Sequence, residues 1–300
     1  MKKIFFILKV LLTIVLIYLV IAKIGFRDFE NSIKTIRIGF AAALFLSLVF
    51  TLIKALKWYY LVRQTSEKGS SVGDAVKSYF VGMVGGLLTP GRVGEIARTV
   101  YLEKHGKSLI VYLVAVDKIF DITVVVLLAL PGVYYYTGPL VAAGVGVMLG
   151  GLLLGIFFPH YPPRWVNRVL AWTGKFAGTR ERLSLIEGEM AAMKMAFKLK
   201  FLGVTFSCYG VVIVEFYWLV NNYQSCRFDV VCLSQPLIML VNIVPVTIAG
   251  LGVREGAAVV LLSSFGVAGP VAISSAFMLF LLNTALPALI GALLLLTHRK

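Results

Sequence analysis

"TPGRVGEIAR" spans residues 89–98 and sets Arg92, Glu95 and Arg98 close together in an otherwise apolar part of the chain. Thr89 is a good helix N-cap and Pro90 a good first helical residue. A helix that starts here presents free N–H groups and the positive end of its dipole. Gly91 and Gly94 let a second backbone or a ligand come close. Arg92 adds a forked cation suited to phosphate. These parts make an anion site of the kind built at helix N-termini. Glu95 and Arg98 lie three apart and are placed to pair on one face.

The surroundings of that turn set its meaning. Of the 300 residues, 59% are hydrophobic and 14% charged, against about 25% charged in soluble domains. The fold class read from this is an all-α polytopic membrane protein. The net charge of +15 does not point to nucleic acid, because the lysines and arginines fall mainly between apolar runs, as they do in cytoplasmic loops. Cys208, Cys226 and Cys232 give neither a disulfide framework nor a metal spacing, and His105, His160 and His298 are scattered. No G-x-x-x-x-G-K-[ST] loop is present. No catalytic set, metal or cofactor is therefore expected.

A bilayer core of ~30 Å needs about 20 apolar helical residues. Six runs qualify: 4–22, 38–62, 109–130, 139–158, 201–221 and 269–297. The first is read as a transmembrane helix, because no small-residue cleavage site follows it. The fourth carries Gly146, Gly150, Gly151 and Gly155, which predicts close packing in the interior. The last is long, and Pro287 is its expected kink. Two further apolar regions, 76–103 and 232–265, each read as a limb of about 13 residues, a Gly/Pro turn and a second limb. Such limbs fall short of the hydrocarbon thickness, which predicts two re-entrant helical hairpins.

The two regions resemble each other. Shifted by 160 residues, "VGEIARTVYLEKHG" (93–106) lies over "VREGAAVVLLSSFG" (253–266) with identities at Val93/Val253, Glu95/Glu255, Ala97/Ala257, Val100/Val260, Leu102/Leu262 and Gly106/Gly266. Three spans separate the hairpins, an odd number, so the expected plan is an inverted repeat. The chain then reads as one integral membrane domain over 1–300, with a first repeat core at 76–130 and a second at 232–297. The segment 160–200 carries two apolar stripes, one with Trp165, Val169, Trp172 and Phe176, the other from Leu183 to Phe197. It is read as amphipathic helices on the cytoplasmic leaflet or docked on the spans. The basic residues are concentrated on the loops that place both termini inside the cell membrane.

Other ionisable residues fall inside the spans. Asp117 and Asp121 are four apart and share a helix face; two neighbouring carboxylates in low dielectric need compensating cations. Lys118 points away from that face, so Arg92, Arg98 or Arg254 are the expected partners. Lys54 and Lys57, near the inner end of their span, can snorkel. Glu215 reads as a helix–helix contact. The clusters Trp58-Tyr59-Tyr60, Tyr134-Tyr135-Tyr136 and Phe216-Tyr217-Trp218 read as interfacial belts. The second hairpin offers Pro245, Gly250, Gly252, Arg254 and Glu255. If the hairpins face each other, two Arg-Glu sets line one cavity.

"LTPGRVGEIAR", "DKIFD" and "PVTIAGLGVREGA", in this order and separation, resemble the lysylphosphatidylglycerol synthase transmembrane-region family, also called flippase-like. The second hairpin motif has Ala249 where a glycine is expected. The resemblance covers nearly the whole chain. It implies movement of an aminoacylated or other anionic-derived lipid between leaflets. It also implies functional weight for Pro90, Gly91, Arg92, Gly94, Glu95, Arg98, Asp117, Asp121, Pro245, Gly250, Gly252, Arg254 and Glu255. Some members carry a soluble aminoacyltransferase domain, for which a chain ending at Lys300 has no room, so translocation rather than lysyl transfer is the expectation. The expected partner is a membrane lipid, with a lipid-synthesis enzyme as a possible second. Two alternatives stay open: an integral-membrane transferase using Asp28 and Glu30, and a non-catalytic partner of a separate enzyme.

Overall fold

The computed structural model describes residues 38–64, 71–102, 107–158, 193–243 and 247–297. The run 4–22, the pair Asp28 and Glu30, Pro245 and most of the 160–200 segment lie outside the described residues. Within them all regular structure is helical. The helices are α1 (Ile38–Val62), α2 (Val72–Leu88), a 3-10 helix (Pro90–Tyr101), α3 (Lys107–Thr137), α4 (Pro139–Phe157), α5 (Met195–Tyr223), α6 (Phe228–Ile243), α7 (Val253–Ser263), α8 (Gly269–Phe280) and α9 (Leu286–Thr297). A turn at Ile248–Gly250 precedes α7, and a π turn at Leu281–Ala285 joins α8 to α9.

Among the described residues, four helical segments are long and apolar enough to cross a membrane: 40–62, 139–157, 195–223 and 269–297. At 1.5 Å per residue the 29 residues of α5 reach about 43 Å, beyond the ~30 Å core. The chain is a helical, multi-pass membrane protein. The span α5 begins at Met195 rather than 201, so the end of the second amphipathic stripe is its first turn. Phe197 there is buried and stacks on Phe201 at 5.4 Å and against Tyr60 at 4.9 Å.

The first hairpin is built from unlike limbs. Ser71 caps α2 by accepting from the Asp74 N–H at 3.0 Å. The second limb is a 3-10 helix of 12 residues, far beyond the three or four usual for this geometry. Its three-residue period stacks positions 95, 98 and 101 in one row. The limbs touch backbone to backbone: a Cβ on Gly85 would lie 1.9 Å from the Gly94 carbonyl oxygen, and one on Gly94 2.1 Å from that of Gly85. Thr89 stitches the turn, donating to the Gly85 carbonyl at 2.8 Å and accepting from the Gly94 N–H at 2.7 Å. Thr89 stands at the N-cap position the sequence suggested, but its hydroxyl bonds the fifth residue on and caps none of the first-turn N–H groups.

The second hairpin joins α6 (16 residues) to α7 (11 residues); at 1.5 Å per residue neither limb alone spans ~30 Å. The turn uses left-handed backbone at Ala249 (φ 55), Gly250 (φ 73) and Gly252 (φ 82). The glycine expected at position 249 is thus what the backbone there favours. A Cβ on Gly250 would also fall 1.5 Å from Asn242 Oδ1, so that side chain would have to move.

Of two expectations for the spans, one fails and one is met, the last span being irregular at Pro287 as expected. Among the described residues the glycines of α4 form no interior seam: Gly144, Gly146, Gly150 and Gly155 have no described atom within 4 Å of a built Cβ, and only 17% of the apolar window of α4 is buried. Among the described helices it leans mainly on α3. The irregularity of the last span lies just before Pro287, in the π turn. Pro287 cannot donate to the Asn283 carbonyl four residues earlier, and its ring crowds that carbonyl. The turn widens to accommodate both.

Gly85→Leu is expected to push the limbs apart and cost more than about 2 kcal/mol by overpacking. Ala249→Gly is expected to raise stability by about 0.5–1 kcal/mol, the relief of left-handed strain less the added chain entropy. Thermal unfolding in detergent checks both. An Ala249→Gly protein less stable than wild type contradicts the turn geometry.

Candidate functional site

Seven ionisable side chains from three elements form one chain of alternating sign. From its more exposed end, Lys118 pairs with Glu95 Oε1 at 2.7 Å. Glu95 Oε2 accepts from Arg98 Nη2 at 2.7 Å. Arg98 Nη1 lies 3.3 Å from Asp117 Oδ2. Asp117 Oδ1 lies 2.8 Å from Lys57 Nζ, close enough to pair but off the line a hydrogen bond needs. Lys57 donates to Asp121 Oδ1 at 2.7 Å. Lys54 closes the chain on both Asp121 oxygens, each at 2.7 Å. Three carboxylates against four cations leave a formal charge of +1.

The row is deeply buried. Glu95, Arg98 and Lys57 are 1–2% exposed, whereas the Lys118 side chain is one-third exposed. Uncompensated, each charge would cost several kcal/mol to bury; alternation supplies every one with opposite neighbours. Aromatic faces complete the cage. The Arg98 guanidinium lies 4.2 Å over Trp58 and 5.5 Å from Tyr79. Lys57 Nζ sits 4.7 Å from the Phe201 ring, and Lys54 Nζ 4.8 Å from that of Tyr209. Trp58 is fixed by donating from Nε1 to Ser78 Oγ at 2.8 Å. Gly82 makes the room: a Cβ there would fall 2.5 Å from Arg98 Cγ.

The Glu95–Arg98 pair and the shared face of Asp117 and Asp121 are as the sequence predicted. Two readings are corrected. Lys54 and Lys57 do not snorkel; they turn inward and supply most of the compensation that Asp117 and Asp121 need. Lys118 points away from the two aspartates, as read, and pairs with Glu95 of the 3-10 limb. Trp58 is not in an interfacial belt but 1% exposed beneath Arg98. The signal that could have found the lysines is their own spacing: Lys54/Lys57 and Asp117/Asp121 are helical-face pairs of opposite sign on two apolar helices.

At the second hairpin Glu255 caps its own helix, accepting from the Gly252 N–H at 2.7 Å. Arg254 Nε donates to Glu255 Oε1 at 3.1 Å, and its guanidinium lies 4.8 Å from the Phe280 ring. Both residues are buried. The 3-10 limb of the first hairpin, Pro90–Tyr101, packs against the Ile248–Gly250 turn, so the first hairpin meets the turn of the second. Arg92 belongs to that limb's backbone. Glu215 is fully buried on α5 and accepts from Asn283 Nδ2 at 2.7 Å, a helix–helix contact as read from the sequence.

A helical membrane protein with charged residues gathered at a paired hairpin narrows the field, and a family model decides it. The model for the lysylphosphatidylglycerol synthase TM region matches residues 6–291. The chain belongs to this family. No curated protein compared with it matches. For this member of the lysylphosphatidylglycerol synthase TM region family, the match spans both hairpins and the whole charge row, and the family points to a membrane lipid-related function.

Removing Asp121 strands two lysines, so Asp121→Ala is expected to cost about 3–5 kcal/mol, the usual result of breaking a buried ion pair from one side. Lys118→Ala, at the exposed end, is expected to cost less than about 1 kcal/mol. Denaturation in detergent micelles checks the ranking. Equal losses would show that the row is not graded by burial.

Proposed function

We propose that the protein translocates a phospholipid or polyprenyl-phosphate-linked lipid across the cell membrane, flippase- or scramblase-like, with its headgroup handled by the buried charge row. The observation that carries this reading is the row itself: seven alternating charges at membrane depth, with a cation at each end and a net charge of +1. An anionic headgroup can displace one carboxylate at a time and always meet a cation next. Intramembrane charges cost about 3 kcal/mol each to insert, and a purely structural contact is served more cheaply by apolar packing.

A groove of about 560 Å³ supports the acyl-chain half of the reading. Its lining includes Ile53, Tyr60, Gly203, Val204 and Ser207, with Lys200 at one end. Ile53 adjoins Lys54, and Ser207 lies two residues from Tyr209, whose hydroxyl is 3.5 Å from Lys54 Nζ. Tails resting in this groove would put a headgroup at the Lys54 end of the row.

In this reading the hairpins 76–103 and 232–265 are re-entrant and form an inverted repeat, with both termini cytoplasmic. On this proposal Arg92 and Arg254, one on each hairpin, serve one headgroup path, with Glu95 and Glu255 as the balancing acids. The short limbs of the second hairpin and the contact between the hairpins support that arrangement. The repeat cores at 76–130 and 232–297 are part of the same proposal, as is a separate lipid-synthesis enzyme that loads the cargo.

A second reading has its own support: every member of the row already has a partner, as in a structural lock. Leaflet exchange of fluorescent phospholipids in proteoliposomes separates the two. Translocation predicts exchange in wild type and at least a ten-fold loss in folded Arg92→Ala, Glu95→Gln and Glu255→Gln. A wild type that moves no lipid under any imposed gradient, with variants that differ only in stability, establishes the lock.

A further inference from the structure

The groups just described leave one buried acid unused. Glu215 lies on α5 with 0% exposure. One of its oxygens, Oε2, accepts from Asn283 at 2.7 Å. The other, Oε1, has no hydrogen-bond partner among the described residues, and neither does Asn283 Oδ1. Two adjacent residues thus each present an orphaned acceptor oxygen inside the protein. Buried polar atoms are paired in the great majority of cases, and an orphan usually marks a group that is satisfied by something else.

The backbone around Asn283 adds to this. Asn283 sits in the π turn Leu281–Ala285, a feature that recurs at functional sites. Pro287 has no N–H to return to the Asn283 carbonyl. That carbonyl is a third oxygen, on the same residue, deprived of its ordinary helical donor.

Among the described residues no ion pair reaches Glu215. On α1, Lys54 and Lys57 are engaged with Asp121 and Asp117 of α3. On α6 the charged residue is Asp229, which is exposed and paired with Arg227. On α7, Arg254 and Glu255 hold each other. The helices α4, α8 and α9 and the π turn contain no charged residue. On α5 itself the nearest lysine is Lys200, 15 residues and about 22 Å away along the axis. Tyr209 of α5 faces Lys54, and Cys208 is buried one residue from it.

We infer that Glu215 and Asn283 form a binding site for a monovalent cation, a proton or Na⁺, that is exchanged as the protein works. A single carboxylate balances a single positive charge, and the amide and carbonyl oxygens of Asn283 supply neutral ligands. The donor set is too poor for a divalent ion: no group of three His, Cys, Asp or Glu side chains occurs among the described residues. The site lies on the α5–π turn contact, where cation loss would leave a bare carboxylate against Asn283 and favour movement of the last span. It holds whether or not lipid is the cargo, and it supplies an ion for coupling that the charge row, paired within itself, does not.

The test is thermal unfolding of the purified full chain in detergent, which needs no transport assay. Wild type is compared with Glu215→Gln, which keeps size and an acceptor for Asn283 but removes the charge, and with Asn283→Ser as a second variant. If the ion is Na⁺, replacing KCl with NaCl raises the wild-type Tm by roughly 2–5 °C and the variants lose most of that rise. If it is a proton, the Na⁺ effect is absent and the wild-type Tm falls as pH rises, because a proton held by the folded state is released; Glu215→Gln lacks that component. Infrared difference spectra distinguish the two through the protonated-carboxyl stretch, present only in the proton case and lost in Glu215→Gln. Variants that track wild type in both salt and pH overturn the inference. A Glu215→Gln protein that does not fold leaves Asn283→Ser and the wild-type infrared spectrum to decide, and no Na⁺ effect together with no protonated-carboxyl signal in wild type also overturns it.

Discussion

Burying a charge in a membrane protein is possible only when an opposite charge meets it there, and much of this structure follows from meeting that demand seven times in succession. The alternation Lys118, Glu95, Arg98, Asp117, Lys57, Asp121, Lys54 draws together α1, α3 and the 3-10 limb of the first hairpin. No single pair would justify the desolvation involved. As a row, each inner member has two partners, and low dielectric strengthens every link.

The neighbouring geometry serves that row. Gly82 vacates the volume that Arg98 fills, and Gly85 meets Gly94 so that the limb carrying Glu95 and Arg98 lies hard against α2. The tight three-residue period stacks Glu95 over Arg98. Trp58 closes one side as an aromatic platform and is held by Ser78 of α2. These contacts place the site within the cluster of Trp58, Tyr79, Phe120 and Phe201, while a second cluster around Phe216, Ile238 and Leu279 carries Glu215 and the last span.

The parts legible in the sequence were those set by local spacing. Hydropathy gave the helical class and the spans of α1, α4 and the last helix nearly to the residue. Gly and Pro marked both hairpin turns, and the glycine expected at 249 matched a backbone that is left-handed there. The Glu95–Arg98 pair followed from its three-residue spacing. The parts that were not legible depend on what lies across a helix interface. Lys54 and Lys57 sit where lysines commonly reach for the membrane surface, and nothing along α1 reveals that α3 holds two acids opposite them. Trp58 has the same difficulty, since its partner Arg98 is 40 residues away. The α4 glycines read as a seam because spacing alone does not tell which side of a helix is covered. The long 3-10 limb had no sequence signal beyond its glycines, because its geometry is set by packing on α2.

The account rests on the charge row acting as one electrostatic unit, and a double-mutant cycle on Lys54 and Asp121 tests this most directly. Replacing the two together, Lys54→Met with Asp121→Leu, removes the terminal link and leaves the remaining five charges alternating with Lys57 still 2.8 Å from Asp117. The account predicts that each single change costs several kcal/mol, that the double change recovers most of the loss, and that the coupling energy exceeds about 2 kcal/mol. Losses that simply add would contradict it, because they would mean that the lysine and the aspartate contribute independently and that the row is a set of neighbours rather than a unit.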